Sequence, residues 1–207
     1  MAEGRFRAIL HPDEAGAEAA TERSCGGCTA CCTVLRVDAL RKLGGVPCAM
    51  LDQDRGCSIY PERPKICRAY RCLWLQGAFE EADRPDRIGA VLDLLNQAGV
   101  PLLAVRESTL GAASDSPRLA AIIDRYRSFM PVRISDARDV MNPDAPFRLL
   151  LPEGEERITT GDDIRVLREG REPERRRMPW LRRRLRRGIQ RFRRWRLRNY
   201  GAGTLRR

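Results

Sequence analysis

Eight cysteines fall between residues 25 and 72, and none occurs elsewhere in the 207-residue chain. They are Cys25, Cys28, Cys31, Cys32, Cys48, Cys57, Cys67 and Cys72, spaced C-x2-C-x2-C-C-x15-C-x8-C-x9-C-x4-C. A free cysteine often serves as a small core residue, but eight in so short a stretch ask for a shared chemistry. A disulfide framework needs an oxidising compartment. The opening stretch "MAEGRFRAILHPDEAGAEAATERS" lacks the apolar core of a secretory signal, so the expected location is cytoplasmic, with reduced thiols. A thioredoxin-like redox pair belongs after a strand, whereas an arm broken by Pro12 and Gly16 precedes Cys25.

Metal chelation is the reading that uses all eight. Thiolates bind zinc and iron–sulfur centres, and Gly26 and Gly27 allow a tight turn to aim several sulfurs at one point. Eight sulfurs fill two four-coordinate zinc sites, or hold one iron–sulfur cluster with four to spare. The C-x2-C-x2-C opening is shared with bacterial ferredoxins, but their x3-C-P continuation is missing. Cys31 and Cys32 are neighbours, and neighbouring side chains diverge by roughly 100° on a helix. If both are ligands, the chain passes between two metals; otherwise one of them supports from behind. Arg23, Arg36, Arg63, Lys65, Arg68 and Arg71 are interleaved with the cysteines, and nearby cations favour thiolates. Asp52 and Asp54 sit in a turn between two cysteines, where turn chemistry alone accounts for them. His11, the chain's one histidine, is expected at the surface.

These residues resemble a known family. "CGGCTACC" followed by "PCAMLDQDRGCSIYPERPKICRAYRC" is similar to the YkgJ-type cysteine cluster proteins, bacterial proteins described as chelating zinc or iron. The match runs through the eight cysteines together with Tyr60, Arg63, Pro64 and Arg68, about a quarter of the chain. It implies metal chelation and no particular reaction. A related cluster occurs in flagellin lysine methylases, but no S-adenosylmethionine loop is visible here. In this frame Ile59 and Tyr60 cover the cluster, Pro61 and Pro64 stiffen the approach to Cys67, and Arg63 and Arg68 support the thiolates.

Around the cluster the pattern predicts an α+β fold: a small metal-stabilised cysteine segment packed on a small α+β unit, with a basic helical tail. Residues 1–24 form a flexible arm, 25–75 the cysteine segment, 76–167 the rest of the same domain and 168–207 an arginine-rich tail. Residues 37–43 are expected as a short helix stopped by Gly44-Gly45, 48–51 and 57–60 as a hairpin, and a helix begins near Lys65. The spacing of Ile88, Val91, Leu92 and Leu95 predicts a helix over 84–99. A strand is expected at 100–107, a helix at 116–130, and strands at 131–134 and 147–151.

The formal net charge of +11 is uneven: residues 171–207 contain 16 arginines against Glu172 and Glu174, so 1–170 carry −3. Leu181, Leu185, Ile189, Phe192 and Trp195 share one face of a predicted basic helix within 178–200. Such a helix suits an anionic membrane surface or nucleic-acid phosphate, and no run of residues is long and apolar enough to span a bilayer. No nucleophile–base pair or phosphate loop stands out. The expected function is binding of zinc or iron, including an iron–sulfur centre. The alternatives are an enzyme using that centre for redox or Lewis-acid chemistry and an adaptor acting through the tail.

Overall fold

The computed structural model describes residues 23–52, 56–97, 99–142, 144–168, 171 and 174–200. Most of the N-terminal arm, with His11, and the turn residue Asp54 lie outside them. The architecture is α+β, built on a seven-stranded mixed sheet. Its strands follow one another in space as in sequence: β3 Ala90–Gln97, β4 Val100–Glu107, β5 Val132–Asp136, β6 Phe147–Leu150, β7 Glu155–Thr160, β8 Asp163–Arg168 and β9 Glu174–Arg177. All pairings are antiparallel except β4 with β5. A parallel neighbour needs a crossover, and helices α4 Ala112–Asp115 and α5 Pro117–Arg127 supply it. Ser116 caps α5 through its side chain, accepting from the Leu119 N–H at 3.3 Å.

Alternation along the strands gives the sheet two covered faces. Ala90 and Leu92 of β3, Leu103 and Val105 of β4, and Val132 and Ile134 of β5 pack with Leu119, Ile123 and Tyr126 of α5. Val91, between Ala90 and Leu92, faces the other way and packs with Ala30, Val34 and Ala137. The cysteine segment is therefore seated on the face opposite α5. It consists of helix α1 Ala30–Val34, hairpin strands β1 Leu51–Asp52 and β2 Gly56–Cys57, and helix α2 Lys65–Ala69.

Two expectations are corrected. The helix predicted over 84–99 is a single turn, α3 Pro85–Ile88, followed by β3. Gly89 ends the turn in the left-handed region at φ +72°, where a Cβ would lie 2.9 Å from that of Ala112. Beyond it the chain pairs eight residues with β4, from Ala90 opposite Glu107 to Gln97 opposite Val100. The apolar spacing fits a strand buried on both faces as well as a helical stripe. The helix expected at 37–43 shrinks to a 3₁₀ turn, Asp38–Leu40. Arg41 then adopts φ +51°, and Val37 and Lys42 close a bridge.

Strands β7 and β8 were not anticipated from sequence, and the sheet continues past Arg168. The arginine-rich stretch first adds β9 at the sheet edge. There Arg175 pairs with Asp163 across the strands at 2.6 Å, a charged edge of the kind that discourages further strand addition. Helix α6, Trp180–Tyr200, follows, as the tail pattern predicts.

Candidate metal centre

The eight cysteines arrive from different local structures. Cys25 and Cys28 bracket a turn closed by Cys28 N–H to Cys25 C=O at 2.9 Å, with Gly26 at φ +52°. Cys31 and Cys32 lie on α1, held against the sheet by its buried Ala30 and Val34. Cys48 precedes the hairpin and Cys57 ends β2. Cys67 lies on α2, whose entry Pro64 fixes in an extended conformation. Cys72 follows, just before Leu73 hydrogen-bonds to β3 through the Leu92 carbonyl at 3.0 Å.

All eight line one cavity. Each is half-buried and a free thiol. Trp74, Leu75 and Val91 give the cavity an apolar wall, and Ile59, Tyr60 and Pro64 line it as well. As the side chains stand, no group of three or more Cys, His, Asp or Glu among the described residues is arranged to hold an ion. Closing a shell of sulfurs thus requires side-chain movement inward. The donor set fits a soft ion on chemistry: eight thiols and no histidine at one cavity match zinc or iron–sulfur ligation.

The thiols interact in two neighbourhoods. Cys31 is influenced by Cys25 and Cys28, Cys28 by Cys72, and Cys72 by Cys25. Cys67 is influenced by Cys32, Cys48 and Cys57. Cys31 and Cys32 join the two: they share a hydrogen bond that pushes the Cys31 thiol up and the Cys32 thiol down. Burial pushes Cys28 up to about 11, and the Asp86 carboxylate adds to it. Burial also raises Cys67 and Cys72. Lys42 and Arg63 both favour the Cys32 thiolate, while Arg84 interacts with Cys28.

Of the interleaved cations, Arg63 alone lines the cavity. Its guanidinium stacks on Tyr60, 3.5 Å from the ring centre, and its buried Nε has no hydrogen-bond partner among the described residues. Arg23 donates to the Trp74 carbonyl, Arg36 pairs with Asp38 and Arg71 donates to the Leu75 carbonyl. Lys65 and Arg68 are exposed and absent from the cavity wall. Asp52 is exposed and also outside it. Comparison with family models, curated proteins and solved structures found no match. What this centre does therefore has to be argued from its own residues.

Sequence reasoning missed Lys42. It is buried, and its ammonium donates to the carbonyls of Thr33 (3.0 Å), Leu35 and Leu43 (3.1 Å). Burial lowers its pKa, while Cys48, Cys32, Cys31 and Cys67 oppose that shift. Lys42 thus joins the Thr33 and Leu35 carbonyls at the end of α1 to that of Leu43 and sets a positive charge among Cys31, Cys32, Cys48 and Cys67. A hint was present: Lys42 and Lys65 are the only lysines among 39 basic residues, and three converging carbonyls suit a compact ammonium better than a planar guanidinium. Lys42→Met leaves those carbonyls without their donor and is expected to cost about 2–3 kcal/mol in urea denaturation. Lys42→Arg should not restore the loss.

A second polar anchor ties the segment to the sheet. The Tyr70 hydroxyl donates to Asp93 at 2.8 Å, and Arg106 of the adjacent strand donates to the same carboxylate. Asp93 faces the cysteine side of β3, so the contact sets the position of α2 and of Cys72 beyond it.

Proposed function

We propose that the protein binds zinc or iron, an iron–sulfur centre included, through Cys25, Cys28, Cys31, Cys32, Cys48, Cys57, Cys67 and Cys72. The observation that carries this reading is that all eight free cysteines line a single cavity, although they come from two helices, a hairpin and the turns between them. The likeness of the "CGGCTACC" and "CSIYPERPKICR" segments to the YkgJ-type cluster family supports it. Within this reading we assign two four-sulfur sets, Cys25/Cys28/Cys31/Cys72 and Cys32/Cys48/Cys57/Cys67, divided at the adjacent Cys31 and Cys32 of α1, whose side chains leave the helix roughly 100° apart.

In this reading Lys42 and Arg63 balance thiolate charge at the second set, and Tyr60 and Trp74 shield the cavity from water. The bound metal would cross-link distant pieces of a segment whose regular elements are at most five residues long; metal binding of this kind contributes directly to folding. A reducing compartment such as the cytoplasm would keep these thiols available as ligands.

Elemental analysis with visible spectroscopy, on protein purified without oxygen, tests the proposal. Zinc is expected as a colourless stoichiometric metal, or iron with absorption bleached by dithionite. A chain that folds normally, keeps all its thiols reactive and retains neither metal after exposure to both would refute it.

A further inference from the structure

The carboxyl-terminal helix carries an interaction surface separate from the cysteine cavity. Helix α6 is fastened to the body by contacts that lie along one side. Met178 N–H donates to the Asp162 carbonyl at 3.2 Å. Arg186 donates to the Gly161 carbonyl and pairs with Asp162 at 3.4 Å, and Arg187 reaches Asp162 at 3.4 Å. At 100° per residue these two arginines flank the side facing the β7–β8 turn. Leu181, Leu185, Ile189, Phe192 and Trp195 fall within an arc of about 120° on the opposite side. These five are between 46% and 67% exposed, and the Phe192 and Trp195 rings stack at 5.7 Å. Between Trp180 and Tyr200 there are ten arginines and no acidic residue.

We propose that α6 docks the protein on a bilayer surface rich in anionic phospholipid, lying in the plane of the interface. The apolar row enters the boundary between headgroups and acyl chains, and the arginines along its borders meet phosphate groups. Charge complementarity selects an anionic surface. The apolar row selects a bilayer over nucleic acid, because a polyphosphate rewards the arginines but leaves three aliphatic side chains in water. A second copy is disfavoured, since packing two such faces together brings ten positive charges beside ten. No helix among the described residues is long and apolar enough to cross a membrane, so the contact is with the surface.

Vesicle co-sedimentation of the full chain tests this, with phosphatidylcholine vesicles and with phosphatidylcholine–phosphatidylglycerol vesicles. Binding is expected only to the second, weakening as salt rises. Leu185→Glu and Phe192→Glu should each reduce it by about tenfold or more, while metal content and thermal melting stay unchanged, because both side chains face solvent. Equal binding to neutral vesicles, or full binding by both variants, would overturn the proposal. So would retention on duplex DNA exceeding vesicle binding at matched salt, or self-association abolished by Phe192→Glu.

Discussion

Cys28→Ser and Cys67→Ser will each lower the metal content by about one ion per chain, and the double variant by about two, if each thiol set forms a four-sulfur site. The expectation rests on the proposed division of the thiols between Cys31 and Cys32. Cys28 interacts with Cys72 and Cys31, while Cys67 interacts with Cys32, Cys48 and Cys57. Losing one of four thiolates leaves a site that holds its ion far more weakly. The single variants should keep the metal of the untouched set, read by elemental analysis after brief chelator treatment. Complete loss from either single variant would mean that all eight sulfurs serve one indivisible cluster, and the two-set arrangement would fall while metal binding itself stood.

Gly45→Ala should destabilise the protein by about 3 kcal/mol or more, visible as a lower urea midpoint and earlier release of metal on heating. Two independent constraints meet at this residue. Its φ of +81° lies in the region that side chains rarely adopt, and an added Cβ would stand 2.3 Å from the Arg138 carbonyl oxygen. Its N–H donates to the Thr33 carbonyl at 2.9 Å. Gly45 is thus the point where the loop leaving Lys42 is pressed against the turn after β5. Gly27→Ala is the control: a Cβ there meets nothing within 4 Å, and a change below about 1 kcal/mol is expected.

The gathering of the cysteines could be read in the sequence because its information is local. Cysteine spacing, a glycine turn and paired prolines state their chemistry without reference to the rest of the fold, and all eight predicted cysteines do reach one cavity. The supporting shell was harder. Arg63 was anticipated, but Arg23, Arg36 and Arg71 are engaged by other carbonyls or acids, contacts that depend on chain folded in from elsewhere. Lys42 was hidden for the same reason, since the carbonyls it gathers converge only when the 37–42 loop closes.

In the fold, "VPLLAVRE" and "SPRLAAIIDRYR" declared a strand and a helix unambiguously. "IGAVLDLL" did not: its apolar residues satisfy both periods, and the strand is the one of the two that pairs residue by residue with β4. Strands β7 and β8 escaped because arginines and carboxylates stand where an apolar alternation would show. Glu155 is buried only because Arg157 and Arg168 hold it, at 2.5 and 2.7 Å.

Strand β3 is a party wall. Leu92 belongs to the room behind α5 and Val91 to the room that houses the thiols, so no repacking on one side is private to it. The tenancy is unequal, however. The room behind α5 is closed by aliphatic and aromatic residues of α5 and β3–β5, with Leu73 reaching in from just beyond Cys72, whereas the other is furnished by short turns leaning on that wall. Damage to the sheet therefore evicts both occupants, and failure among the cysteines reaches the other room through Leu73 and the shared wall.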